Sequence, residues 1–357
     1  MSTMECLVQS STGQPVVASR PRPQIENPHQ VLVQITAVAL NPTDFKSPMF
    51  NPLPGATMGC DFVGIVVATG EAASHDLPSG TRVCSARHGN NPGRPDLGAF
   101  AQYVIIDSRL LLRVPATWTD VDAAALGGVG WGSAALTIEQ SLKLTGRPSK
   151  PASAQADGSR TPVLVYGAAT ATGTMACQLL SLSGYKPIAT ATSLASRLKD
   201  EYRAAVVVPY TSPTCAETIR SQHTGGHGVR HALDCICTPE SVSVCFEALA
   251  RVGARYACLD YVPPESRPRK SVKVDMPLAY TLHGSGVQLP EPYRRDPDPS
   301  MLEFTRRWRD ELQPLLDEEI LKPHPPRELQ RGWNGVIEGL EMLKRGEVRG
   351  QKLVVVL

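Results

Sequence analysis

This 357-residue chain lacks the marks of secreted, membrane-bound and nucleic-acid-binding proteins. Its first residues, MSTMECLVQSSTG, contain no basic region followed by an apolar core, so no secretory signal is predicted, and no apolar run is expected to span a membrane. The formal net charge of +2 gives no general attraction to nucleic acid or anionic membranes. With 42% hydrophobic and 20% charged residues, we expect a globular, cytosolic protein with room for two domains.

Clustered metal ligands are also scarce. The nine cysteines are scattered singly apart from Cys235-Ile-Cys237, which predicts reduced thiols rather than a disulfide framework. The stretch 84–98, where a structural zinc would need four cysteines, holds one. Every fourth residue from His223 to Cys235 is a His or Cys, but three glycines between them would break a helix that aligned these side chains. No metal is expected.

The most informative segment that is present is 161–192, TPVLVYGAATATGTMACQLLSLSGYKPIATAT. An apolar run, a small-residue turn, a helical run and a second apolar run follow one another, which is typical of the opening β-turn-α-β of a dinucleotide-binding domain. Gly167 and Gly173 frame the turn, with Ala169 and Thr170 between them. Small side chains there let amides at the helix N-terminus approach a pyrophosphate. The alternative is a βαβ unit with a merely tight turn.

An acidic residue is missing where an NAD site usually has one, roughly 20 residues beyond the turn. The end of the second predicted strand reads ATATS at 189–193, and no acid appears before Asp200. Hydroxyl groups with Arg197 and Lys199 nearby would hold a 2′-phosphate, so the sequence favours NADPH over NADH. Alternatively, these two cations form a solvated helix face.

The pattern along the chain indicates an interrupted organisation. Short strand-like runs bounded by turn residues continue to about residue 116, helical patterning begins near residue 122, and βαβ units reach about residue 274. A helix at 333–344 and a closing strand at 352–357 have no sheet of their own and are expected to complete the first domain. We therefore predict one domain from 1–121 and 280–357 and a nucleotide-binding domain from 122–279, in which 146–162 is a flexible insertion.

Several segments together resemble the zinc-independent, quinone-oxidoreductase-like branch of the medium-chain dehydrogenases/reductases. They are NPTDFK at 41–46, MGCDFVG at 58–64, GAFAQY at 98–103, the nucleotide turn, and GQKLV at 350–354. Within that branch, VLVYGAATATGT at 163–174, ALDCIC from Ala232 and HGSGVQLPEPY from His283 resemble the trans-acting enoyl reductases of fungal polyketide synthases. The implied fold class is α/β, a Rossmann doubly wound parallel sheet plus a GroES-like β-rich catalytic domain. Zinc-dependent relatives have Cys and His-Glu where this chain has Asn41 and Cys60-Asp61.

The resemblance implies hydride transfer from NADPH to the β-carbon of an α,β-unsaturated thioester carried by a partner polyketide synthase, with protonation at the α-carbon. It places the nicotinamide end against Thr43, Asp44, Phe45 and Lys46. The other implied cofactor contacts are Ala169, Thr170, Ala171, Thr172, Thr192, Ser193, Arg197, Tyr210, Leu259, Asp260, Val348 and Arg349. The acyl chain would contact Ser133, Ala134, Ala135, Leu136, Thr137, Ile138, Glu139, Gln140, Leu278, Ala279, Tyr280, Thr281 and Leu282.

Lys46 is the implied catalytic residue, as an acid or as an electrostatic stabiliser of the growing enolate. The alternative is a surface lysine that pairs with Asp44 or contacts ribose. The family's hydroxyl residue aligns with Gly132, so either Ser133 supplies the hydroxyl or only backbone and cofactor groups act. Two other functions stay open: a free-standing NADPH quinone or enal reductase, and a non-catalytic NADPH-binding scaffold.

The expected oligomeric state is a monomer. Many relatives dimerise through edge strands, but the expected edge strand here, 281–289, contains glycines and runs into PEPYRRDPDPS, which opposes continuous ladder pairing. For a substrate held on a carrier arm, Lys46, Arg349 and Lys352 are the expected cations near the mouth of the site.

Overall fold

The computed structural model describes residues 2–357, which divide into two compact units. One unit contains the residues up to Val129 together with Tyr280–Leu357, and the other contains Gly130–Ala279. In chain order the elements are β1 (Thr3–Gln9), β2 (Pro15–Pro21), β3 (Gln30–Ala39), α1 (Pro42–Phe50), β4 (Asp61–Thr69), β5 (Arg82–Ala86), β6 (Tyr103–Asp107), β7 (Leu112–Arg113), α2 (Asp120–Leu126), α3 (Val129–Leu136), β8 (Pro162–Tyr166), α4 (Ala171–Leu182), β9 (Lys186–Thr190), α5 (Ala195–Asp200), β10 (Val206–Val208), α6 (Cys215–His223), β11 (His231–Asp234), α7 (Pro239–Ala248), β12 (Arg255–Cys258), β13 (Lys273–Asp275), α8 (Ser300–Asp317), β14 (Pro326–Glu328), α9 (Trp333–Lys344) and β15 (Lys352–Val356).

The first unit is built on a seven-stranded sheet with the order β14-β15-β3-β4-β5-β7, and β6 also pairs with β3. The closing strand β15 runs antiparallel to β3, with Val354 opposite Ala39. Residues from β3, β4, β6, α9 and β15 then share one buried core, which includes Val38, Phe62 and Leu353. The end of the chain therefore completes the sheet that its beginning starts.

Helix α2 fixes the boundary between the units. Thr119 caps its N-terminus by accepting from the Asp122 N–H, and its apolar residues from Ala123 to Leu126 are buried. Just past the helix, the N–H groups of Gly128 and Val129 donate to the Asp61 carboxylate of β4, at 2.8 and 2.9 Å. These bonds tie residues beyond 121 to the first unit, so the division follows Val129 rather than residue 121.

The second unit is a parallel sheet with the order β10-β9-β8-β11-β12-β13. Strand β8 lies between β9 and β11, with Val165 opposite Ala189 on one side and Leu233 on the other. The chain thus runs outward from β8 in one direction and then crosses back to run outward in the other. In such doubly wound sheets, ligands bind at the carboxyl ends of the strands where the direction switches.

The prediction of an edge strand at 281–289 was wrong. The sheet of the second unit ends at β10 and β13, and β13 is followed at once by Met276-Pro277, whose proline cannot donate to a ladder. Residues from Tyr280 belong to the first unit, and Ala279–His283 forms a short 3₁₀ turn.

The segment 146–162 is attached at its beginning. The Gly146 N–H donates to the Tyr185 hydroxyl at 2.8 Å, and the Ala152 N–H donates to the Ser183 carbonyl at 2.9 Å. Residues 153–160 are exposed. The insertion that the composition predicted is therefore anchored over its first residues, and its exposed part is shorter than expected.

One helical stretch, Asp120–Ser141, is long and apolar enough to cross a membrane by length and composition, whereas none was expected. The stretch reaches this length because α2, α3 and a π-helical turn at Thr137–Ser141 follow one another despite four glycines. In the structure 83% of the apolar window is buried within the protein, as is common for a core helix.

Candidate active site

The turn after β8 forms a cradle with little side-chain bulk. Gly167 has φ +73°, and a Cβ there would lie 2.6 Å from the side chain of Ile236. A Cβ on Gly173 would lie 2.5 Å from the Gly167 carbonyl oxygen, so only glycine lets α4 approach the turn this closely. Any larger residue at these two positions would displace the helix or the turn.

The N-terminus of α4 presents amide groups at this cradle. Thr170 is the N-cap, and its hydroxyl oxygen accepts from the Gly173 N–H at 3.0 Å. The first intrahelical donor is the Thr174 N–H, which reaches the Thr170 carbonyl. The amides of Ala171 and Thr172 precede that bond and have no acceptor within the helix, so they suit a phosphate. Thr170 thus serves first as a cap, rather than only as the cofactor contact that the resemblance implied.

A cleft of about 590 Å³ opens beside the end of β9. Its lining residues are Ala191, Thr192, Ala195, Ser196, Lys199, Asp200, Val207 and Pro209. The Thr192 hydroxyl donates to the Tyr210 hydroxyl at 3.4 Å, and the Tyr210 ring lies 6.0 Å from that of Tyr166. Hydroxyls, one ammonium and one carboxylate therefore meet at the position where an adenosine ribose binds in this fold.

Arg197 does not line the cleft. Its guanidinium holds the carboxylate of Glu201, one turn further along, through bonds of 2.8 and 2.7 Å, and also donates to the Tyr202 hydroxyl. This pairing raises the pKa of Arg197 further. Of the two cations that the sequence placed near a 2′-phosphate, Lys199 is the one that the structure brings to the cleft.

The ends of β11 and β12 complete this edge of the sheet. The buried Asp234 carboxylate accepts from the Tyr256 hydroxyl, the Ser241 hydroxyl and the amides of Ile236 and Cys237. These bonds fix the loop that places the exposed Ile236 against Gly167. Ile236 was not among the predicted site residues, although an apolar residue two positions beyond a strand of a nucleotide-binding sheet was a usable signal.

The predicted cofactor residues Leu259 and Asp260 follow β12 and are half-buried, and the Asp260 N–H donates to the Cys237 sulfur at 3.3 Å. Together with Ala169, Thr192 and Tyr210 they follow the carboxyl ends of neighbouring parallel strands. These five predicted cofactor residues of the second unit are thus brought to one edge of its sheet.

The predicted acyl-chain segment from Ser133 to Gln140 is largely buried, and only Gln140 is exposed. It contains the start of the π-helical turn, a feature that is frequent at functional sites. Within residues 2–357, the buried Thr137 hydroxyl has no hydrogen-bond partner, while Ser133 is 7% exposed. Thr137 is therefore a second hydroxyl candidate beside Ser133 in this segment.

In the first unit, α1 carries the predicted nicotinamide wall. The Asn41 N–H donates to the Asp44 carboxylate at 2.7 Å, which caps the helix. Asp44 is 4% exposed, and burial raises its pKa to about 6. Lys46 and Phe45 lie on the same helix, Lys46 exposed and Phe45 half-buried against the core.

A buried ion pair joins β15 to β4. The Lys352 ammonium lies 2.9 Å from the Asp61 carboxylate and also donates to the Asn41 side-chain oxygen, and the Asn41 amide donates to Asp61 at 3.0 Å. Lys352 is 5% exposed and Asp61 is fully buried. The expectation that Lys352 is a cation at the mouth of the site was therefore wrong, because its charge is already compensated inside the protein. Arg349 is exposed, and Val348 packs against the core.

Tyr280, from the predicted acyl-chain segment, contacts Thr43, from the predicted nicotinamide wall. Its hydroxyl lies 2.6 Å from the Thr43 hydroxyl and 3.9 Å from the Cys60 sulfur. The His88 ring stacks on the Tyr280 ring at 3.7 Å. Burial, with the Cys60 thiol nearby, raises the pKa of Tyr280 well above its usual value, and burial lowers that of His88 to about 3. Both groups are therefore uncharged at neutral pH.

Among residues 2–357, no group of three or more His, Cys, Asp or Glu side chains could hold a metal ion. The residues at the positions of the zinc ligands are held by one another: Asn41 and Asp61 by Lys352, and Cys60 by its neighbours Asp44 and Tyr280. What the first unit offers is a set of buried hydroxyl, thiol and carboxyl groups.

Residues 27–116 match the family model of the alcohol dehydrogenase GroES-like domain. The chain is 44% identical over 347 residues to a trans-enoyl reductase of Penicillium decumbens, covering 94% of this chain and 92% of that protein. It is 42% identical over 351 residues to a trans-enoyl reductase of Phaeosphaeria nodorum, covering 97% and 94%. The predicted family and fold class are confirmed.

Among solved structures, a mycobacterial protein complexed with NADPH has the same fold, with a TM-score of 0.70 at 20% identity. The similarity covers 99% of this chain and all of the mycobacterial one.

Proposed function

The chain belongs to the trans-enoyl reductases, and from that membership we propose that it reduces α,β-unsaturated thioesters carried by a partner polyketide synthase, with NADPH as the reductant. The proposal rests most on the relatives' identity of more than 40% along nearly the whole chain. An enoyl reductase of this family takes its hydride from a nicotinamide nucleotide. The proposed location is the cytosol.

The residues of the second unit fit such a nucleotide. The cradle at Gly167 and Gly173 leaves room for a diphosphate, and the amides of Ala171 and Thr172 would meet its charge. Thr192 and Lys199 would hold the adenosine ribose and its phosphate. When bound, NADPH supplies the hydride. The work of the protein is to orient the acceptor, exclude water and stabilise the charge that develops on the thioester oxygen.

The test of the function is NADPH consumption with a panel of enoyl thioesters, on coenzyme A and on a carrier protein, beside simple quinones. We expect turnover of enoyl thioesters, with the carrier-bound form preferred. Faster turnover of quinones or free enals would identify a free-standing reductase. Tight NADPH binding without oxidation by any acceptor would identify a scaffold protein.

The cofactor preference can be tested at the cleft beside β9. Lys199→Ala should raise the KM for NADPH about tenfold and leave that for NADH unchanged, because a charge-assisted hydrogen bond to the 2′-phosphate is lost. Arg197→Ala is the matched variant on the same helix, and we expect a smaller effect because Arg197 holds Glu201. Steady-state kinetics with both nucleotides measure this.

The carboxylate of Asp200 lines the same cleft, and a variant of this residue tests the alternative, a preference for NADH. If the enzyme preferred NADH, Asp200 would accept from the ribose hydroxyls and Asp200→Asn would weaken NADH binding. If Arg197→Ala and Lys199→Ala raised the KM for NADPH equally, both cations would bind the 2′-phosphate, as the sequence suggested.

We also propose that the protein is a monomer. The edge strand β13 spans only Lys273–Asp275 and ends before a proline, so it offers a short ladder to a second copy. Light scattering over a wide concentration range should give the mass of one chain. A dimer that persists on dilution would contradict this.

A further inference from the structure

The hydrogen bond between Thr43 and Tyr280 joins residues that are 237 positions apart. They belong to two segments that the sequence assigned separately, 43–46 to the nicotinamide and 278–282 to the acyl chain. Both residues lie in the first unit, so their contact is a property of that unit alone. If both assignments hold, the carbon atoms that change in the reaction lie beside these two hydroxyls.

We propose that the Tyr280 phenol is the source of the proton that the substrate α-carbon takes up, and that the Thr43 hydroxyl delivers it. The inference rests on the proposed enoyl reductase function and answers a question that the sequence left open, since Gly132 stands where the family has a hydroxyl residue. Thr43 would be the catalytic residue that touches substrate, and Tyr280 the group behind it.

Once the β-carbon holds the hydride, the electron pair of the former double bond is shared by the α-carbon and the thioester oxygen. The Thr43 O–H bond breaks as its proton bonds to the α-carbon, and the Tyr280 O–H bond breaks as its proton bonds to the Thr43 oxygen. The tyrosinate then takes a proton from water. The substrate gains two electrons, which come from NADPH, and no other reductant is needed.

The surroundings of the phenol suit a stored proton. The groups that face it are the Cys60 thiol at 3.9 Å, the stacked His88 ring and the buried Asp44 carboxyl. His88 is neutral, so no charge from this ring stabilises a tyrosinate. The phenol therefore stays protonated until a much stronger base appears, and an enolate carbon is such a base.

The variants follow from the two roles. Tyr280→Phe and Thr43→Val should each lower kcat about 100-fold, the usual size of a general acid's contribution, with little change in the KM for NADPH. Thr43→Ser keeps the hydroxyl and should stay near the wild-type rate. Tyr103→Phe, on β6 where Tyr103 stacks under Arg22, is the matched control and should leave turnover unchanged.

Two measurements separate proton delivery from a structural role. In mixtures of H₂O and D₂O, the wild-type rate should vary with the deuterium fraction along a curve, as expected when two protons move in the step. The residual rate of Tyr280→Phe should vary linearly, as expected when one proton moves. In the cofactor-free protein labelled with ¹³C at the tyrosine Cζ, the signal lost in Tyr280→Phe should not titrate at the ordinary tyrosine pKa of 10.0, and should shift in Thr43→Val.

The outcomes are distinct from those of the proposed function. If the wild-type protein reduces no enoyl thioester, the proposed enoyl reductase function is wrong, whatever the rates of the variants. A wild-type protein that is active, with a Tyr280→Phe variant at the same rate and the same two-proton dependence, overturns the relay and leaves the function standing. If Tyr280→Phe fails to fold, the comparison of Thr43→Val with Thr43→Ser tests the relay. Equal kcat values in these two variants would overturn the relay.

Discussion

Replacing Lys352 with methionine is expected to destabilise the first unit by about 3–5 kcal/mol, because the change leaves the Asp61 carboxylate buried without its counter-charge. The ammonium and the carboxylate are 2.9 Å apart, and both are almost completely inside the protein. Asp61→Asn should cost a comparable amount, since it leaves the ammonium unpaired. Urea unfolding, followed at equilibrium for each variant, measures both free energies.

The double variant Lys352→Met with Asp61→Asn removes both charges and should be more stable than the sum of the two single changes predicts. The exposed pair Arg345 and Glu347 is the control, and Arg345→Met should leave stability unchanged because water screens that pair. If the change in the free energy of unfolding of the double variant equalled the sum of the two single changes, the two buried charges would have no energetic coupling.

Removing the ammonium of Lys46 is expected to lower kcat by about 100-fold, with a much smaller effect on NADPH affinity. Lys46 lies on α1, two residues beyond the buried Asp44, and its side chain is exposed. If its charge acts on the enolate, it acts in the transition state more than in the bound substrate, and only such interactions accelerate the step. Steady-state kinetics of Lys46→Ala test this.

Lys46→Arg keeps the charge and should recover part of the rate, whereas Lys344→Ala, on the last turn of α9, is the control for loss of an exposed lysine elsewhere. If Lys46→Ala kept the wild-type kcat, Lys46 would contribute to cofactor or substrate binding alone and not to the chemical step. Thr43, supplied by Tyr280, would then remain the proposed group of this unit that acts on the substrate.

Much of the fold followed from local patterns. The run from β8 to β9 was predictable because two apolar runs flank a small-residue turn, and a turn of this kind is set by residues close in sequence. The closing strand β15 was predictable from its own apolar run, KLVVV. Helix α8 had a usable signal, since Phe304, Trp308, Leu312 and Leu316 recur every fourth residue and are buried, but no expectation covered it.

The site was less predictable where partners are distant in the chain. Lys352 looks like a surface charge in GQKLV, and its burial depends on Asp61, 291 residues earlier. Arg197 is a local exception, because Glu201, only four residues further along, binds its guanidinium, and this spacing was a usable signal. The contact between Thr43 and Tyr280 has no local signature at all. Composition and spacing therefore identify candidate groups. Which of these groups contact one another depends on residues that are far apart in the chain.

The discontinuity of the first unit sets an order for synthesis of this protein on the ribosome. The second unit is one continuous stretch and can form while the chain is still growing, but β3 has no β15 to pair with until residues 352–356 emerge. Until then Ala37–Ala39 of β3 lack their β15 partner, although Gln30–Gln34 already pair with β6, and the Asp61 carboxylate has no ammonium beside it. We therefore expect a chain that stops before residue 350 to lack β15 and to expose the unfinished sheet of the first unit to aggregation.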